Sequence, residues 1–153
     1  MASTTFVDRR TPIMASWLND VNNYVYNNPN GLLEAFNLTD DTAGYFQWDG
    51  VTKGIILISG NTSAAQSSLV AFRCGDGNAF VTSMAVGANV NVTTGTLNGT
   101  TGTDGKFTIA ADTATNRVYL ENRLGTTYGY TVSCLSCNTN SPGVGETTAF
   151  IEV

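Results

Sequence analysis

Histidine is absent from this 153-residue chain, and charge of either sign is scarce, with seven Lys and Arg and twelve Asp and Glu. Without histidine neither a Ser-His-Asp nor a Cys-His nucleophile can be assembled, and no His-ligated metal centre can form. Phosphate binding needs clustered Lys or Arg, so a net charge of -5 argues against nucleic acid as a partner. The longest apolar runs fall far short of the roughly 20 residues that span a bilayer. No basic segment leads into an apolar stretch behind Met1, so no membrane partner is expected and folding in a cytoplasm is. That expectation strips the sequons at Asn37, Asn61, Asn91 and Asn98 of meaning.

Cysteine is also sparse. Cys134 and Cys137 have redox or zinc spacing, but the flanking "YTVSCLS" reads as a strand where a redox site needs a helix start, and zinc normally takes four ligands. The three cysteines, Cys74 included, are therefore expected to be reduced apolar fillers, with no metal and no cofactor. Carboxylates could in principle supply a glycosidase pair. Most of them, as in Asp49-Gly50, Asp76-Gly77 and Asp104-Gly105, stand beside turn-forming residues, which is turn chemistry. The chain is not expected to be an enzyme.

What remains is a polar surface made of Thr, Asn, Ser and Gly, a composition that favours strands and turns. Short strand patterns run from Tyr45 to Trp48, Ile55 to Ser59, Ser67 to Arg73, Ala79 to Val86, Val90 to Thr94, Lys106 to Ala111, Arg117 to Asn122, Tyr128 to Leu135 and Ala149 to Val153. In "KFTIAAD" the residues Phe107, Ile109 and Ala111 share one face, and in "RVYLENR" Val118 and Leu120 oppose Tyr119 and Glu121. The expected architecture is a mostly β, jelly-roll-like β-sandwich spanning residues 39–153. "TLNGTTGTDG" is read as one of its turns.

Residues 1–38 form the other part. In "TPIMASWLNDVNNYVYNNPNG" Thr11 suits an N-cap, Pro12 the first helical position and the terminal Asn-Pro-Asn-Gly a stop, which predicts a helix over about 12–27. Met14, Trp17, Leu18, Val21, Tyr24 and Val25 make one apolar stripe, while Asn19, Asp20, Asn22 and Asn23 lie opposite. A helix this short is marginal alone in water, so its stripe needs a partner surface, on sister helices or another protein or, as the alternative, on an open face of its own sandwich. Arg9 and Arg10 just before it are candidates for docking on an acidic surface.

"TFVDRRTPIMASWLNDVNNYVY" resembles the N-terminal segment of bacteriophage tail-spike and tail-fibre proteins. There a Trp-Leu-Asn-Asp-Val-Asn helix attaches a trimeric appendage to the virion. "GKFTIAADTATNRVYLENRLGTTYGYTVSCLS" is similar to the ending of phage fibre and head-fibre β-sandwich domains, which trimerise. The resemblance implies a homotrimeric structural virion protein made in the host bacterial cytoplasm. It would be a short fibre or spike whose stripe contacts sister chains or a tail, neck or capsid protein. A depolymerase of the tail-spike kind needs a long β-helix or lyase domain, for which 153 residues leave no room. Two alternatives stand beside this reading: a capsid decoration (head fibre or cement) protein, and a host-glycan receptor module. In the latter Tyr45, Trp48, Tyr128 and Tyr130 are candidates for sugar or subunit contact.

Overall fold

A computed structural model describes residues 33–48, 50–139 and 150–153, with side chains at 34–48, 50–136 and 150–153. The helix expected over 12–27, its stripe from Met14 to Val25, and Arg9 and Arg10 lie outside the described residues. The described chain is mostly β. Its strands are β1 (Leu33–Leu38), β2 (Thr42–Gln47), β3 (Thr52–Gly60), β4 (Ser68–Cys74), β5 (Phe80–Val86), β6 (Val90–Thr94), β7 (Phe107–Ala111), β8 (Arg117–Asn122), β9 (Tyr128–Thr139) and β10 (Ile151–Glu152).

They form two five-stranded sheets, ordered β1-β9-β3-β4-β5 and β10-β2-β8-β7-β6, with one hydrophobic core shared by residues of both. Alternation in sequence becomes alternation in burial. Along β4, Ser68, Val70, Phe72 and Cys74 point inward, while Leu69, Ala71 and Arg73 are only partly covered. Phe107, Ile109 and Ala111 share the core with Val118 and Leu120, as their spacing predicts. Phe107 stacks on Tyr130 at 4.3 Å, and Trp48 lies 5.2 Å from Phe72. At Gly44 an added Cβ would stand 2.2 Å from the Phe150 ring, so the absent side chain makes room for that aromatic beside β2.

Three features differ from the sequence reading. The sandwich begins at Leu33 and not at residue 39, because β1 pairs with β9 along its whole length, from Leu33↔Ser133 to Leu38↔Tyr128. The 95–106 segment is not a hairpin turn. It joins two parallel neighbours, β6 and β7, and parallel strands need a crossover connection. Third, Cys134 is disulfide-bonded rather than reduced. Cys74 is free and buried, and burial pushes its thiol up to about 12, which suits the expected role of an unreactive filler.

Candidate interaction surface

Several of the described carboxylates hold loops in place. Glu121, fully buried on β8, accepts hydrogen bonds from the backbone N–H groups of Gly99 (2.8 Å), Thr101 (3.3 Å) and Gly102 (2.5 Å). Asp40 accepts from the Gly125 amide at 2.7 Å, and Glu34 from the Phe150 amide at 2.9 Å. Arg123 lies 3.1 Å from Asp41 and 3.6 Å from Asp104, tying two turns together. Among the described residues no group of three or more His, Cys, Asp or Glu is placed to hold a metal ion.

Asp112 shows the same pattern with a pH consequence. Burial alone would push its carboxyl up. Hydrogen bonds from Thr115 Oγ1 (2.6 Å), the Ala114 amide (3.0 Å) and Thr96 Oγ1 (3.4 Å) outweigh it and hold the group below the usual Asp value. A depressed folded-state value stabilises the fold fully above the unfolded value, about 4, and that stabilisation is lost as pH falls through the folded one. Asp112→Asn is therefore expected to destabilise the protein near neutral pH, and its deficit against wild type should shrink between about pH 5 and pH 2. Denaturant melts across that range check it; a constant deficit would assign the effect to packing.

The aromatics named as sugar or subunit contacts do not form a stacking platform. Trp48 and Tyr130 are core residues, because strand alternation turns both inward between the sheets, and a contact role for these two is corrected accordingly. Tyr45 is 8% exposed on the outer face of the second sheet, 5.4 Å from Tyr119, with the Arg117 guanidinium 4.0 Å above its ring. Tyr128 is partly buried against the core.

The two outer faces of the sandwich differ. On the second sheet, Ala43, Tyr45, Ala110 and Tyr119 form a small second cluster closed over by Leu97 from the 95–106 crossover. Glu121 anchors that crossover through the three amides above, so this face is covered by its own chain. Gly99 allows the close passage: its φ is +98°, and an added Cβ would lie 2.4 Å from the Asp41 carbonyl.

Among the described residues, the outer face of the first sheet is left open. Its register sets Ser133, Leu57, Leu69 and Ala85 side by side across β9, β3, β4 and β5, with Ser136, Ile55, Ala71 and Thr82 in the next row. Leu57 is 38% exposed in the middle of the sheet. An open groove of about 320 Å³ lies here, lined by Leu57, Ala64, Leu69, Ala85 and Val86 among others. Two register shifts add to it. Between Ile55 and Ile56 the pairing skips Leu135, and between Leu69 and Val70 it skips Met84. Both extra residues are large, apolar and 55% exposed. Bulges re-aim side chains. Leu57 and Leu69 sit inside continuous apolar runs, so the sequence did not mark them as outward, and nothing in it marked the bulges.

No protein-family model, curated protein or solved structure matches this chain. What its described residues define is a β-sandwich with one outer face closed by a crossover loop and one left open and apolar.

Proposed function

We propose that this protein is a non-enzymatic structural component of a bacteriophage particle, a homotrimeric short fibre or spike attached through its N-terminal segment. The observation that carries the reading is the open apolar face of the first sheet, on a sandwich whose buried carboxyl groups serve loops. Exposed apolar side chains gathered on one face support a surface that meets another polypeptide. Further support comes from the strand order. β9 lies between β1 and β3, and β8 beside β2, long-range pairs of the kind a jelly roll uses, although the parallel β6–β7 pair and the β3–β4–β5 meander depart from that pattern. The "KFTIAADTATNRVYLENR" stretch that resembles phage fibre domains forms the β7–β8 hairpin at the heart of the second sheet. Under this reading the work is geometric: the sandwich resists unfolding, copies associate around a three-fold axis, and the N-terminal stripe contacts the particle.

Peptide mass spectrometry of purified virions, with labelled antibody imaged on intact particles, tests the proposal. The protein should be found in the particle and the label on the tail. A label on the head would move it to the decoration reading, and absence from washed particles would reject a structural role.

A further inference from the structure

We infer that Asn98 is a latent self-modification site, an Asn-Gly amide that the closed 95–106 crossover keeps from reacting, with Glu121 as its guard, and that converts to isoaspartate once the crossover opens. The inference does not depend on the virion reading.

The chemistry needs only the chain and water. The Gly99 nitrogen gives up its proton to solvent and attacks Cγ of Asn98. The N–Cγ bond forms, the Cγ–Nδ2 bond breaks, and Nδ2 takes up a proton and leaves as ammonia. Water then opens the cyclic imide at one carbonyl or the other, giving aspartate or isoaspartate. No oxidant, metal or second reactant enters. Glycine after asparagine favours the ring, because it has no side chain to hinder the approach and reaches backbone angles that other residues do not. Asn98-Gly99 is such a pair, and Asn98 is exposed, so water reaches its amide.

Both partners of the reaction are held by the closed loop. The Gly99 N–H donates to Glu121 Oε2 at 2.8 Å, and Gly99 itself is buried. Asn98 Oδ1 accepts from the Thr100 amide (3.1 Å), Thr100 Oγ1 (3.2 Å) and Thr101 Oγ1 (2.7 Å). Ring closure requires the peptide between residues 98 and 99 to turn until the nitrogen faces Cγ. That turn breaks the bond to Glu121, whose carboxyl also holds the Thr101 and Gly102 amides. Nor is there room to swing, since a Cβ on Gly99 would lie 2.4 Å from the Asp41 carbonyl. Reaction therefore belongs to the opened loop, and Glu121 sets how often the loop opens.

The product makes opening one-way. Isoaspartate routes the main chain through Cβ and so lengthens it between residues 98 and 99. The close passage at Asp41 leaves no slack for the added atom, so the Gly99 amide is carried off Glu121. Leu97 in the same segment then no longer closes over Tyr45 and Tyr119.

The test follows the Asn98 peptide by mass spectrometry in full-length wild type, Glu121→Ala and Glu121→Gln held in mildly alkaline buffer, with isoaspartate and aspartate separated by chromatography. Folded wild type should convert at least about tenfold more slowly than the same chain in urea, because a covered loop reacts only in the fraction of molecules that have opened it. Glu121→Ala should convert several-fold faster than wild type while still melting cooperatively, with Glu121→Gln between them. If Glu121→Ala does not melt cooperatively, Glu121→Gln decides by the same readout. Wild type that converts as fast folded as in urea overturns the inference. So does a folded Glu121 variant no faster than wild type, and a slower one would make the carboxyl a promoter of the reaction. Protein carrying isoaspartate at position 98 should be cut by protease within residues 95–106 under conditions that spare the unmodified chain; equal resistance would contradict one-way opening.

Discussion

Glu121→Ala is expected to lower stability by about 3–5 kcal/mol, because it removes the acceptor for three amides of a covered loop and each buried unsatisfied donor costs roughly 1–3 kcal/mol before water relieves part of it. For a domain of this size that corresponds to a fall in Tm of roughly 10 °C. The effect should reach beyond the carboxyl group. Gly99, Thr101 and Gly102 hold the crossover over the second sheet, and Leu97 in the same segment covers Tyr45 and Tyr119. Releasing it should make the 95–106 segment the first site of limited proteolysis. Glu121→Gln keeps the shape but turns one oxygen into a donor facing donors, so it should lie between wild type and alanine. Thermal melts of the two variants, with mapped protease cuts, check this. A loss of less than about 1 kcal/mol for Glu121→Ala would mean that the loop is held by its side chains and not by the buried carboxyl.

Deleting residues 1–31 should separate folding from assembly. The cut falls before β1, and every residue of the main core cluster, from Leu38 to Cys134, lies beyond it. The truncated chain is expected to melt cooperatively, only a few degrees lower, because every residue of the core cluster is retained. Incorporation into particles should fall to background. Trp17→Ala should reproduce much of that loss, since aromatic anchors dominate interface energetics, whereas Asn22→Ala on the polar face should not. Circular dichroism melts and a particle-incorporation assay measure the two halves. A truncated chain that is unfolded would show that the segment belongs to the fold itself, and normal incorporation would remove the anchoring role.

Much of the sandwich was legible because β7 and β8 alternate, with Phe107, Ile109, Ala111, Val118 and Leu120 meeting the core, while β3 and β4 stand out as short apolar runs between turn residues. β1 was not. "LEAFNL" sets Glu34 opposite Val132 on the core side, where it accepts the Phe150 amide, and an acid among apolar residues breaks the alternation that identifies a strand. Trp48 and Tyr130 were legible as large strand residues that burial statistics place more often in a core or subunit contact than on a sugar platform, but alternation alone fixes only which residues share a face. Glu121 was placed correctly opposite Leu120, yet its burial depends on a loop that folds back from residues 99–102, a long-range event without a local signature. The open face was not legible, because Leu57 and Leu69 lie in continuous apolar runs and the two bulges that place Leu135 and Met84 as extra residues have no sequence signature.

The central claim, that this chain is an assembling structural unit, is tested most directly by the light-scattering mass of the purified full-length protein. The account predicts a single species at three times the 16.2 kDa chain mass. A mass of one chain that persists as concentration is raised would contradict it.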